Sequence, residues 1–177
     1  MADGRIERMG PDGWERVRSI RLRALADAPD AFGTTLAEDQ ARPLAEWRAR
    51  IEDPLAASFL ATCDGRDVGL VTGRRWDGIE GAAGLFGMWV APEFRRRGIG
   101  QGLVDAVVAW ARTAGFARVL LDVADTNLPA IRLYASRGFE PDGVTGSQPA
   151  PRQHILEHRR ALELHPAAGA RAAWTPC

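Results

Sequence analysis

The spacing of apolar residues switches between helical and strand periods along this chain, and the switches outline its elements. Ile6 and Met9 predict a short first strand. Asp12, with Glu15 three positions on, reads as a capping box that opens a helix. Behind it Trp14, Val17, Ile20, Leu22 and Leu25 keep helical spacing to Ala26, where Asp27-Ala28-Pro29-Asp30 breaks the pattern. Pro43 opens a second helix with Leu44, Trp47 and Ile51 as its buried stripe, and Asp53-Pro54 ends it. The period then shortens. Strands are predicted over 57–63, 67–75 and 83–91, divided by the turn signals Asp64-Gly65 and Asp77-Gly78, so the three form an antiparallel meander.

Helical spacing returns after Gly100 with Leu103, Val104, Val107, Val108 and Ala111, and Gly115 is its stop. Next come an apolar strand from Val119 to Val123 and a helix opened by Pro129 and stopped at Gly138. A Gly/Pro-rich loop over 143–151 leads to a last strand near 154–162. No repeat or linker divides residues 1–164, which read as one domain; 165–177, rich in Ala, Gly and Pro, reads as a disordered tail. The order β-α-α-β-β-β-α-β-α-β-β predicts a mixed α/β (α+β) sandwich, because the meander precedes the crossover helix.

Composition narrows the chemistry. The 177 residues are 46% hydrophobic and 26% charged, as in an ordinary globular domain. Acidic and basic residues balance at 23 each, which argues against a nucleic-acid partner. Every basic residue is arginine, so a lysine Schiff base and a P-loop are closed. No apolar run is long enough to span a bilayer, and residues 1–30 carry no signal-peptide pattern. Cys63 and Cys177 make no disulfide framework, and the expected location is cytoplasmic. His154 and His158 are four apart, but no Cys or carboxylate cluster completes a metal site around them; strand surface is the expectation, with no metal.

Two stretches carry chemistry. The first runs from Met88-Trp89-Val90 through Pro92 to Arg95-Arg96-Arg97-Gly98-Ile99-Gly100-Gln101. A strand ends, three arginines follow, and glycines open a helix. Helix starts expose unpaired N–H groups, and glycine lets the backbone approach a bulky anion. A dinucleotide fingerprint is a rival reading, since Asp122 lies at a strand end about twenty residues on. Against it, seven residues separate Val90 from Gly98, and position 103 is Leu where a third glycine belongs. The second stretch is Leu121-Asp122-Val123 followed by Asn127 to Tyr134 and Gly138-Phe139. Asn127 is placed to cap the helix, and Tyr134, the only tyrosine, lies two turns along the same face. A packed core tyrosine is the rival reading there.

R-x-x-G-x-G (Arg95 to Gly100) after a V-x-P strand end, then L-x-V-x-x-x-N-x-x-A-x-x-L-Y (Leu121 to Tyr134) and G-F, resembles the GNAT N-acetyltransferase superfamily. The match is dense over 83–140. The resemblance implies a largely antiparallel seven-stranded sheet with four main helices, the central meander feeding a βαβ crossover. It implies acetyl-CoA as cosubstrate in a V-shaped opening between the fourth and fifth strands, with an amine as acceptor. The backbone of Met88, Trp89 and Val90 would flank the pantetheine arm, and amides and side chains from Arg95, Arg96, Arg97, Gly98, Ile99, Gly100 and Gln101 would surround the pyrophosphate. Asn127 would reach the pantetheine or the acceptor, and Tyr134 would protonate the departing thiolate.

One departure stands out. Many members carry a glutamate on the fourth strand eleven residues before the motif arginine, and here that position is Gly84. Glu80 and Asp122 are the substitutes, unless the acceptor arrives neutral and needs no base. Asp27 and Asp30 would attract a cationic amine, and Phe32 and Trp47 would border its pocket. The expected acceptor is a small-molecule primary amine, with the protein a monomer or homodimer. Protein N-terminal acetylation and acyl-CoA sensing without turnover are the alternatives. The segment Pro149 to His154 lacks the tyrosines with which family members clamp a peptide.

Overall fold

A strand buried along its whole length needs neighbours on both faces, and Ala56–Cys63 (β2) is buried at all eight positions. The structure, a computed structural model, describes residues 4–164; the tail expected over 165–177 lies outside them. Around β2 run Gly4–Arg8 (β1), Arg66–Arg75 (β3), Ala82–Val90 (β4), Arg118–Ala124 (β5), Glu140–Ser147 (β6) and Leu156–Glu163 (β7). They form one sheet of seven strands in the order β1-β2-β3-β4-β5-β7-β6, antiparallel except for the β4–β5 pair. The meander is β2-β3-β4, and the crossover from β4 to β5 runs through helix Ile99–Thr113 (α4).

α4 buries Leu103, Val104, Val107, Val108, Trp110 and Ala111 against β2, β3 and β4. At about 1.5–3 kcal/mol for each large side chain fully buried, this face is a main anchor of the crossover. Trp14–Asp27 (α1) packs against β3 and β4 through Val17, Ile20, Ala24 and Leu25, and Leu44–Glu52 (α3) against β2. Leu128–Ser136 (α5) follows β5, capped by Asn127. Among the described residues no helix is long and apolar enough to cross a membrane.

Four local expectations need correction. The Asp12 capping box does not form: Pro11–Gly13 make a 3-10 turn, and Gly13 leads into α1 without a side-chain cap. The true box is Thr35 with Glu38, opening an unforeseen fifth helix, Leu36–Ala41 (α2). Leu44, the first residue of α3, is 52% exposed, so Trp47 anchors that helix. The loop expected over 143–151 starts later, because β6 continues to Ser147. Pro141 fits there because β6 is an edge strand, and the register shifts between Pro141 and Thr145 around Gly143 (φ +86°). His154 falls in the turn before β7, while His158 is on β7 with Nδ1 3.1 Å from Thr145 Oγ1.

Candidate active site

The site begins where two strands part. β4 and β5 pair over Ala82–Gly84 and Arg118–Leu120, yet β4 continues to Val90 and β5 to Ala124. A bulge accompanies the divergence: between Leu70 and Thr72 of β3 the facing strand gains a residue, with Gly87 at φ +63°. Bulges bend the strand that carries them. The gap is a cleft of about 1130 Å³, lined by Leu85 to Val90, the loop into α4, Asp122 to Ala124, the start of α5, Tyr134 and Glu157. The V-shaped opening implied by the resemblance is therefore present.

At one end the chain exposes backbone. The Ala91 amide donates to Val68 of β3 (2.8 Å), so by strand alternation the Val90 amide and carbonyl face the open side, as do those of Met88 two residues back. The Val90 carbonyl is already engaged, accepting from Arg95 Nε at 2.9 Å. Arg95 Nη2 also bonds Asp27 Oδ2 (2.7 Å), which accepts from Trp89 Nε1 as well (2.9 Å). Asp27 is thus committed to Arg95 and Trp89, which corrects the expectation that it awaits a cationic amine. Arg95 braces the loop. Arg96 takes φ +62° and Gly98 φ +81°, turning the chain into α4 with no side-chain cap. The Gly102 amide is the one that bonds the Gly98 carbonyl, so the amides before it remain open to an anion. Arg95, Arg96, Gly98, Gly100 and Gln101 line the cleft, whereas Arg97, stacked on Phe94, and Ile99 do not.

From the other side come Asn127 and Tyr134. Asn127 Oδ1 accepts from the Ala130 amide (3.3 Å) and fixes the start of α5. Tyr134 is buried, edge-on to Phe139, yet lines the cleft. Its hydroxyl makes none of the side-chain hydrogen bonds found among the described residues. Burial pushes its pKa well above the ordinary tyrosine value, so it keeps its proton.

The residues expected to meet an acceptor differ most from expectation. Gly84 is not an open vacancy: a Cβ there would lie 2.3 Å from the Phe86 ring and 2.7 Å from Trp76, and those two rings stack at 5.4 Å. The aromatic pair fills the place of the missing carboxylate. Asp122 lines the cleft and pairs with Arg159 (3.3 Å). Glu80 is exposed in the turn before β4, outside the lining. Phe32 lines the cleft under the Arg21 guanidinium, but Asp30 does not, and Trp47 is a core residue away from the cleft.

Sequence reasoning missed Glu157, Gln148 and Arg152. Gln148 Nε2 donates to the Asp30 carbonyl (2.8 Å) and to Glu157 Oε1 (3.2 Å). Arg152 Nη1 donates to the Pro29 carbonyl (2.5 Å). Together they strap the β6–β7 loop to the segment after α1. Burial raises the Glu157 pKa, and the nearby Asp122 charge adds to the effect. The only signal in the sequence was a carboxylate two residues before Arg159, meaningless until β7 is registered beside β5.

Residues 16–139 match the model of the Acetyltransferase (GNAT) family. The mycothiol acetyltransferase of Thermobispora bispora is 36% identical over 125 residues, 68% of this chain and 41% of that protein. That of Thermomonospora curvata is 32% identical, over 80% of this chain and 44% of its own length. The chain thus spans less than half the length of these relatives. Among solved structures, yncA of Salmonella typhimurium with its cofactor acetyl-CoA superposes at a TM-score of 0.74. It is 19% identical and covers 96% of this chain and 99% of that one. By its family match over most of its length, the chain belongs to the GNAT family of acetyltransferases.

Proposed function

We propose that the protein transfers the acetyl group of acetyl-CoA to the primary amine of a small molecule, with Tyr134 as general acid. The observation that carries this reading is the cleft between β4 and β5, on which the uncapped start of α4 and the buried Tyr134 converge. These residues fit the coenzyme. Open amides of the Gly98–Gln101 turn, with Arg96, suit a pyrophosphate, and charge-assisted hydrogen bonds there would contribute about 1.5–3 kcal/mol each. The Val90 amide and the Met88 backbone offer a strand edge to the pantetheine arm, because the Val90 carbonyl belongs to Arg95.

Acetyl-CoA supplies the activated thioester. The chain's part is to orient the carbonyl, admit the amine and protonate the sulfur. Burial keeps the Tyr134 hydroxyl protonated but also makes it a weaker acid, so its transfer to sulfur depends on the departing thiolate being desolvated in the same cleft, where its own proton affinity rises. The segment Pro149 to His154, which carries no tyrosine, supports a small acceptor over a clamped peptide.

Thiol release from acetyl-CoA, measured with aminoglycosides, polyamines, amino acids and peptides, tests the reading. Turnover with a non-peptide amine is expected. Turnover with peptides alone would replace it by the N-terminal acetylation reading. Tight acetyl-CoA binding with no release across the panel would leave a sensor.

A further inference from the structure

We propose that Glu157 is the carboxylate that receives the acceptor's ammonium group and takes its proton before attack. This rests on the acetyl-transfer reading above.

The argument starts from which carboxylates can reach the cleft. Among the described residues two line it, Asp122 and Glu157. Asp122 already faces a cation, Arg159. Among the described residues Glu157 has no ion pair; its Oε1 accepts a neutral amide hydrogen bond from Gln148, and its Oε2 accepts none. The β5–β7 register sets Ala124 opposite Glu157 and Asp122 opposite Arg159. Directly opposed residues point to the same face, so Glu157 and Asp122 share one face of the sheet. Across the splay that face meets the Trp76–Phe86 stack, since Arg159 lies over Trp76 at 4.7 Å. Arg159 covers Trp76 and Arg74 covers Phe86 at 4.2 Å, so those two rings are already met by cations and Glu157 is the lining carboxylate left for an ammonium ion. The charged groups around Glu157 are Asp122 on β5, Arg159 on β7 and Arg152 in the β6–β7 loop. Gln148 fixes Glu157 without neutralising it. Partial burial lifts its affinity for a proton, which brings a carboxylate closer to the range useful for a base.

The protons balance. The ammonium gives one proton to Glu157, and the neutral nitrogen attacks the acetyl carbon. As the C–S bond breaks, Tyr134 protonates sulfur and recovers the surplus proton of the new amide nitrogen. Glu157 then releases its proton to solvent. The sum is ammonium plus acetyl-CoA giving acetamide, CoA thiol and one proton.

Glu157→Gln tests this, because a glutamine keeps an oxygen for the Gln148 bond and removes only the charge. With the best amine of the panel, kcat/KM at pH 7.5 should fall by about 100-fold, the lower end of general-base effects. Acetyl-CoA affinity by calorimetry should stay within about twofold of the parent, since a base on this face does not hold the coenzyme. The pH profiles should also part. The parent should be flat between the Glu157 and amine titrations. The variant should climb about tenfold per pH unit toward the amine pKa, near 10.4 for an alkylamine. A kcat/KM within threefold of the parent, or a parent profile that already climbs, overturns the proposal, and so does lost acetyl-CoA binding in the variant. A second arm needs no turnover: the Glu157 carboxyl ¹³C resonance of the full chain with CoA should shift when butylammonium is added. An unmoved resonance overturns the proposal. Failure of thiol release in the parent, by contrast, strikes the transfer reading.

Discussion

The two ends of the cleft are built in different ways. On the acetyl-transfer reading proposed above, the end that would take the coenzyme comes from one stretch of chain, residues 86–138, in which strand, loop, helix start and capped helix follow one another, and the other end would take the acceptor. The acceptor end comes from three distant pieces. Gln148 reaches Asp30 across 118 residues and Arg152 reaches Pro29 across 123. A contiguous site leaves a motif in the sequence. A site closed by long-range hydrogen bonds leaves isolated polar residues that look like surface.

The sharpest way to break the comparison is Tyr134→Phe at the contiguous end. The ring keeps its packing on Phe139, and only the hydroxyl is lost. Proton donation of this kind is worth roughly 10²–10⁴, so kcat should fall within that range while the acetyl-CoA KM moves little. The raised pKa also fixes a sign. A group that holds its proton above the usual tyrosine range adds no loss of activity as pH rises to about 10, the ordinary value. Stopped-assay kcat values from pH 7 to 10 check both; a kcat within twofold of the parent would return Tyr134 to the core.

Gly100→Val is the next largest perturbation. A Cβ at Gly100 would stand 3.0 Å from Met88 Cε and 3.1 Å from Leu133 Cδ2, and further branches would crowd the turn. With one or two charge-assisted bonds weakened, acetyl-CoA binding should fall by about 30–100-fold, or 2–3 kcal/mol. Calorimetry on the folded variant reads it directly. Unchanged affinity would take the coenzyme away from this turn and remove the main contrast between the two ends.

The same contrast explains what was legible. The strands, the meander and the crossover followed from local period, though the short helix α2 did not, and the Asn127 cap followed from its place before Pro129. Gly84 was recognisable as a missing carboxylate, but the Trp76–Phe86 stack over it depends on a turn bringing two strands together. Asp27 looked like an attractor for amines until Arg95, 68 residues away, proved to claim it. The Asp12 box failed because Pro11–Gly13 tightened into a 3-10 turn, a choice that the residue spacing alone does not settle, while the Thr35 box formed independently at the start of α2.

The smallest effects are expected at the two carboxylates that sequence alone nominated as bases. Glu80 is exposed in a turn and does not line the cleft, so Glu80→Gln should leave kcat/KM within about twofold, as surface substitutions usually do. Asp122 lines the cleft but is engaged by Arg159, whose guanidinium also covers Trp76. Asp122→Asn keeps an oxygen for Arg159 and removes a charge near Glu157. Its main consequence is to relieve the repulsion that helps hold the Glu157 pKa up. A carboxylate with a lower pKa is a weaker base but is ionised over more of the acid range, and the two changes oppose each other. The loss in kcat/KM at pH 7.5 should therefore stay below about tenfold, with the acid limb of the pH profile moved to lower pH. Steady-state rates from pH 5 to 9 decide it. A hundredfold loss with acetyl-CoA binding intact would make Asp122 the base, and the acceptor end would then be as readable from the Leu121 to Tyr134 motif as the coenzyme end.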